Sequence, residues 1–285
     1  MTLMANPLGR ARKHRALTVC GDTDTGSLRD QNQDTYVILN LGSGQTSRLT
    51  AQMDVSAWRP GVLLLVCDGM GGAPAGDVAA RLAAEAIENG LRAAASEVAR
   101  EPAATLKRAV EEANGAILAE ASAHPWERGM GTTCTAVVCS PEALSVAQVG
   151  DSRAYLYRDG QLQRLTRDQT IAARLIDEGI LDPSQLEHFP YRHVLAQALG
   201  TEGEVRPVIT DHDLQENDRV LICSDGLHGP VDERKIAMIL RETQTAEEAT
   251  HALIDAALAE GGPDNVTVVV ADCGPLGRAD AAERH

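Results

Sequence analysis

The chain has 285 residues, 44% of them hydrophobic, and a formal net charge of −15. That is enough apolar material for the core of one large domain, while the acidity turns away nucleic acid and anionic membranes as main partners. No apolar run is long enough to span a bilayer, and the basic stretch at 10–15 (RARKHR) is not followed by the apolar segment of a secretory signal. Only 2% of residues are aromatic, so Leu, Val, Ile and Ala must build the core. The six cysteines form no CxxC pair and read as small core residues of a reducing compartment, which makes the cytoplasm the expected location.

In chain order, a polar arm over 1–16 precedes a strand at 17–20, a polar stretch, and a second strand at 35–39. Residues 40–60 mix Gly, Ser, Thr and Gln and read as a loop. The run at 62–67 is wholly apolar and reads as a buried strand delivering Asp68 into a glycine-rich turn. Two helices follow. The first, over 76–99, places Val78, Leu82, Ala86, Ile87 and Leu91 at helical spacing; the second, over 102–123, starts on Pro102 and shows Leu106, Val110, Ala113 and Ile117 on one face. The period then changes to short strands at 132–139, 144–149 and 154–157, punctuated by Pro141-Glu142, Gly150-Asp151 and Asp159-Gly160 as in an antiparallel meander. A helix at 168–180, an irregular stretch to 200, a strand at 220–223 and a helix at 232–243 come next. A capping box at Thr245 and Glu248 opens the last helix, to about 260. The final strand is 266–271, before a polar tail over 274–285. With neither strict βαβ alternation nor a repeat, the pattern predicts a layered α+β architecture, mostly antiparallel, in one domain over 17–273.

The chemistry gathers at strand ends. Asp68 sits beside glycines that let backbone approach a ligand, a mount suited to a hard cation, although an Asp-Gly turn alone would explain it. The pattern recurs at Asp225, after the strand of RVLICSDG, and at Asp264, before the strand of GGPDNVTVVV. In an antiparallel pair the end of one strand lies beside the start of its neighbour, so the three acids are expected on one rim of a sheet. Carboxylates gathered there repel and raise one another's pKa, and one or two divalent metals resolve this. If Asp34 opens the strand at 35–39, Arg29 stands just outside the same rim, where a guanidinium can grip two phosphate oxygens. A solvated loop arginine is the simpler reading of that stretch alone. Asp151, in VGDSRAY, is a fourth strand-end acid, as well read as a turn residue as a ligand. The eight histidines show no ligand spacing and read as ordinary surface or helix residues.

Eight segments stand in a fixed order: RDQNQD (29–34), VCDGMGG (66–72), GMGTT (129–133), VGDSRAY (149–155), LTRDQT (165–170), LAQALG (195–200), CSDGL (223–227) and GGPDNVT (261–267). With these, nearly the whole chain resembles the metal-dependent protein phosphatases, the type 2C serine/threonine class, in their compact bacterial form. The resemblance implies a four-layer α/β/β/α sandwich, two stacked mainly antiparallel sheets flanked by helices, with two Mn²⁺ or Mg²⁺ ions at one end. It implies that Asp68 bridges the metals and the Gly69 carbonyl completes one shell. Asp225 and Asp264 would be the other protein ligands, and Asp151 the acid that helps hold a third metal. Asp34 would orient metal-bound water, Arg29 would hold the substrate phosphate, and 168–199 would form the variable flap. The implied activity is hydrolysis of phosphoserine and phosphothreonine in phosphoproteins by a metal-bridged hydroxide, by a monomer opposing a bacterial Ser/Thr kinase. No Cys-x5-Arg follows any cysteine, in keeping with a route that has no cysteinyl intermediate.

The sequence also departs from that pattern. Met70 stands where many eukaryotic members carry His, so the leaving group's proton must come from elsewhere. Gln33 replaces a common Glu, and Gln169 a His frequent in bacterial relatives. Two rival readings exist. Asp22-Thr23-Asp24-Thr25 resembles the D-x-D-x-T of aspartyl-phosphate phosphatases, with Asp22 as nucleophile, but Gly26 stands in the place of that Thr, Gly21 interrupts the strand-to-Asp junction and the later motifs are missing. A catalytically silent, phosphatase-like regulatory protein would be expected to have lost a metal carboxylate, and this chain keeps them.

Overall fold

A computed structural model describes residues 15–48, 51–55, 59–70, 75–124, 129–141, 143–201 and 203–275. The expected arm as far as residue 14, the glycines at 71 and 72, and the tail from 276 lie outside the described residues.

The strands are β1 (Arg15–Asp24), β2 (Asp34–Asn40), β3 (Thr46–Ser47), β4 (Ala51–Val55), β5 (Val62–Met70), β6 (Gly131–Thr132), β7 (Cys134–Cys139), β8 (Ala143–Val149), β9 (Arg153–Arg158), β10 (Gln161–Arg164), β11 (Val208–Asp213), β12 (Arg219–Cys223) and β13 (Val266–Pro275). They form two sheets, β10-β9-β12-β13-β1-β4 and β11-β8-β7-β5-β2-β3, with β6 attached to β5. All their pairings are antiparallel. The helices are α1 (Ala75–Ala93), α2 (Ala95–Val98), α3 (Pro102–Ala123), α4 (Ile171–Asp177), α5 (Asp225–His228), α6 (Glu233–Glu242) and α7 (Ala246–Ala259).

The layers follow from β5. Leu63 and Leu65 pack with Ile87, Leu91, Leu106 and Val110 of α1 and α3, whereas Val62, Leu64 and Val66 pack with Val19, Val220, Ile222 and Val269 of the other sheet. A strand with a core on both faces is apolar without alternation, which is why 62–67 reads as an unbroken run. On the far side of the first sheet, Val268 and Val270 pack with Leu240 and Leu253 of α6 and α7. The result is the expected α/β/β/α sandwich of two stacked antiparallel sheets. Tyr36 pins the sheets together: its hydroxyl donates to the Gly21 carbonyl at 2.8 Å, and a Cβ on Gly21 would overlap its ring.

Several expected elements change at their ends. The predicted strand at 17–20 extends to Asp24, because β1 pairs with β13 along its whole length and its polar end needs only backbone partners. The expected loop at 40–60 contains β3 and β4, and β10 and β11 went unpredicted; these are edge strands without the apolar run of an interior strand. The helix expected over 76–99 breaks at Ala94, which leaves helical geometry at φ −99°, ψ 22°. The helix expected over 168–180 is shorter because Arg153 holds Asp168 outside it and the Thr170 hydroxyl caps α4 by accepting from the Ala173 N–H. The strand expected over 132–139 divides at Thr133. At Thr245 the box is displaced: the Thr245 hydroxyl accepts from the Glu248 N–H, but the Glu248 carboxylate accepts from Gln244.

Candidate active site

Asp68 is not at a turn. β5 runs past it to Met70, and its backbone is fixed on both sides: its N–H donates to the Thr133 hydroxyl at 3.0 Å, while its carbonyl accepts the Thr133 N–H at 2.8 Å and the Thr132 hydroxyl at 2.9 Å. Directly across the ladder from Asp68 stands Asp34, the first residue of β2. Two carboxylates opposite each other on neighbouring strands destabilise a sheet, so a function is the natural reason for their presence.

Asp225 follows β12 and Asp264 precedes β13, both in the other sheet. The acids therefore do not share one rim, as the sequence suggested; they face one another from the rims of two stacked sheets. Asp34 bridges the gap, its Oδ2 accepting from Ser224 Oγ and from Thr267 Oγ1, each at 2.7 Å. A cavity of about 440 Å³ opens here, lined by Arg29, Asp68, Asp151, Asp225 and Asp264, with Gly69 on its wall and His193 and Val194 reaching it from the 168–199 flap. Asp34 lies just behind. A cavity of about 490 Å³ at the far end of the second sheet, between Leu41, Pro60, Val98 and Pro141, is lined by no acid among the described residues.

The electrostatics are those of crowded, buried carboxylates. Asp68 is pushed well above the usual range by burial first and then by Asp34, Asp225, Asp151 and Asp264. Burial raises Asp34 to about 7, against the pull of its two hydroxyl donors and with the charges of Asp225 and Asp264 added. Asp151 rises to about 8 through burial, then Asp225 and Asp168, and Asp225 rises through burial and Asp264. Arg29 Nη2 donates to Asp264 Oδ2 at 2.6 Å. Among the described residues no three His, Cys, Asp or Glu side chains already stand in coordinating array. The donors nevertheless suit a hard divalent cation: all are oxygens, Asp34 and Asp151 are buried and the others half-buried, and their mutual repulsion is what such a charge relieves.

The neighbouring residues show why the Asp-Gly pairs are Asp-Gly. A Cβ on Gly226 would overlap the Asn265 carbonyl oxygen, and one on Gly69 would overlap the Gly76 carbonyl. The glycines thus admit another stretch of backbone. Asn265 was missed by the sequence reading. Its Nδ2 donates to the Thr25 and Gln31 carbonyls at 2.8 and 2.9 Å, and its Oδ1 accepts the Gln33 N–H at 2.8 Å, so one side chain fixes the Arg29 loop to the Asp264 turn. A lone Asn after Asp in a turn gives no hint of this role.

Two histidines need correction. His193 lines the cavity, and His228 is largely buried at the end of α5, its ring Nε2 3.1 Å from the Asp151 carbonyl. A carbonyl only accepts, so Nε2 carries the proton. Burial, with Arg153 adding to it, lowers His228 to about 3 and keeps the ring neutral. Gln169 joins the Asp151 loop to the flap: Oε1 accepts the Gly150 N–H at 3.0 Å, Nε2 donates to the Gln148 carbonyl at 3.1 Å, and its carbonyl accepts the Ala196 N–H at 2.7 Å. Asp22, the rival nucleophile, lies within β1 outside the cavity lining and accepts the Thr23 N–H.

Residues 50–260 match the family model described as Protein phosphatase 2C. The chain is 40% identical over 238 residues to the serine/threonine protein phosphatase PstP of Mycobacterium tuberculosis, covering 84% of this chain and 45% of that protein. It thus spans less than half the length of that relative. It is 30% identical over 251 residues to the serine/threonine phosphatase stp of Listeria monocytogenes, covering 88% of this chain and 93% of that one. Among solved structures, the catalytic domain of PstP in complex with two manganese ions superposes with a TM-score of 0.72 at 35% identity, covering 91% of this chain and 99% of that one.

Proposed function

Because the chain belongs to the protein phosphatase 2C family, we propose that it hydrolyses phosphoserine and phosphothreonine monoesters in proteins, with residues 17–273 as a single catalytic domain. The observation that carries this reading is the convergence of Asp34 and Asp68 from one sheet with Asp225 and Asp264 from the other, beside Arg29. Asp68, Asp225, Asp264 and the Gly69 carbonyl would hold two Mn²⁺ or Mg²⁺ ions, with Asp151 serving a third. Bound there, such ions supply Lewis acidity and make water nucleophilic at neutral pH.

The chain's own residues do the rest. Arg29 stands at the mouth with its side chain half exposed, so it can exchange Asp264 for two oxygens of an incoming phosphate and neutralise charge there. Asp34 is anchored through Oδ2 to Ser224 and Thr267, which leaves Oδ1 to orient the attacking water. Thr132 and Thr133 hold the Asp68 backbone still, and Asn265 holds the Arg29 loop. Met70 lines the cavity and has no proton to give.

The substrates in this reading are phosphoproteins made by a bacterial Ser/Thr kinase, met in the cytoplasm by a monomer. Six free, buried cysteines suit a reducing compartment, and among the described residues no helix is long and apolar enough to cross a membrane. The test is phosphate release from a phosphothreonine peptide in chelator, then with Mn²⁺ or Mg²⁺ restored. Release that stops with chelator, returns with metal and is lost in Asp225→Ala supports the proposal. A folded protein inert with every metal would favour the regulatory reading.

A further inference from the structure

Among the described residues, seven large hydrophobic side chains are exposed, and five of them fall on two segments beside the catalytic cavity. Leu28 immediately precedes Arg29, and Ile180, Leu186, Tyr191 and Val194 belong to the flap that supplies His193 and Val194 to the cavity wall. The other two, Val208 and Met238, lie outside these segments, as isolated exposed apolar residues do on most proteins. Leu28 is 75% exposed and Tyr191 60%, so neither serves the core.

The flap residues stand on an ordered backbone. The Phe189 ring meets Tyr191 edge-on at 5.8 Å between centroids. The Arg192 N–H donates to the Phe189 carbonyl and the Val194 N–H to the Tyr191 carbonyl, each at 3.2 Å, and the Val194 carbonyl accepts the Ile171 N–H at 2.8 Å. A fixed, solvent-facing aromatic beside a polar cavity is what a binding surface presents, since little ordering remains to be done on association.

We propose that Leu28, Tyr191 and Val194 form an apolar rim that selects phosphoproteins carrying apolar side chains within two positions of the phosphorylated residue. The inference rests on the phosphatase reading of the cavity. A phosphorylated side chain reaching between Arg29 and the acids has its chain neighbours at the mouth, which Arg29 and Val194 line; Leu28 is the chain neighbour of the one and Tyr191 lies three residues before the other. An extended peptide advances about 3.3 Å per residue, so the residues that can touch a rim beside the mouth are those one or two places away. Leu28 and Val194 are exposed and offer no polar group, and Tyr191 presents an exposed ring, so a flanking side chain that meets them gains by being apolar.

The test compares three substrates with the Mn²⁺-loaded full chain: a phosphothreonine peptide flanked by Leu and Val, a peptide of equal charge flanked by Gly and Ser, and p-nitrophenyl phosphate, which has no flanks. The expected kcat/KM is about tenfold higher for the apolar peptide, chiefly through KM, the scale of a small apolar contact in a specificity pocket. In Tyr191→Ser and Leu28→Ser, with each peptide rate divided by the same variant's rate on p-nitrophenyl phosphate, that ratio falls toward one. Phosphate release with equal kcat/KM for both peptides overturns the rim, and a tenfold ratio that survives both substitutions overturns these residues as its source. No release from any of the three substrates overturns the phosphatase reading, and the rim with it.

Discussion

Asp34→Asn isolates the electrostatic cost of the site. The Asp34 carboxyl titrates near 7 in the folded chain against 3.8 for an ordinary aspartate. As pH rises from about 4 to 7 the unfolded chain gives up this proton first, so the folded state binds more protons and loses stability across that window. The full cost above pH 7 is on the order of 4 kcal/mol. Asparagine can still accept from the Ser224 and Thr267 hydroxyls through its carbonyl oxygen, but its amide then needs partners where Oδ1 stood, which costs about 1–3 kcal/mol. In chelator at pH 8, urea denaturation should therefore show the variant more stable than the parent by about 1–3 kcal/mol, whereas with Mn²⁺ restored its phosphate release should be lower than the parent's. At pH 4.5, where folded Asp34 already holds its proton, the advantage should vanish. A variant no more stable than the parent at pH 8 would refute the claim that this carboxylate is kept at the expense of the fold.

The remaining predictions probe other parts of the site. Arg29→Ala should raise KM about tenfold for a phosphopeptide with a smaller change in kcat, because the guanidinium grips phosphate in ground and transition states alike; an unchanged KM would place the side chain elsewhere. His228 takes a proton near 6.5 when unfolded but only at about 3 when folded, so stability declines as pH falls below 6.5. By pH 5 the parent should have lost about 2 kcal/mol more than His228→Gln, measured by urea denaturation at pH 7 and pH 5; parallel losses would refute the buried neutral ring. Gly226→Ala would drive a methyl into the Asn265 carbonyl and should lower stability by about 3 kcal/mol, and a thermal melt unchanged from the parent would contradict that packing.

Local pattern carried much of this molecule. The bounds of α3 agree with the predicted 102–123, and the apolar run into Asp68 was legible because a strand with a core on both faces leaves no alternation to misread. What local pattern did not contain was the division of strands between sheets. Asp68 and Asp225 both follow apolar strands before a glycine, and nothing in either stretch says that one belongs to β5 and the other follows β12. The single-rim expectation was therefore the simplest geometry and the wrong one. Edge strands β10 and β11 were hidden for the opposite reason: with few buried side chains they have no hydrophobic signature. Asn265, Gln169 and His228 act through contacts with distant backbone, so their roles exist only once the chain is folded.

The two-sheet origin of the site ties its chemistry to the core. Once ionised, Asp34 and Asp68 repel Asp225 and Asp264 across the gap between the layers, and the hydrogen bond that Asp68 shares with Asp225 is lost, so the charged acids by themselves push the rims apart. Against this stands the apolar interior between the sheets, where Leu17, Ile38, Leu64, Val146 and Ile222 are all buried. Burying one such side chain contributes about 2 kcal/mol, so two of them offset the cost of ionising Asp34. The Asp34 bonds to Ser224 and Thr267 and the Tyr36 bond to Gly21 then set the alignment that the core alone would leave loose. A cavity made deep in that interior, as by Leu64→Ala, removes attraction without removing repulsion. It should therefore disturb the spacing of Asp68 and Asp225 as well as stability, although Leu64 lies in the core and outside the cavity lining.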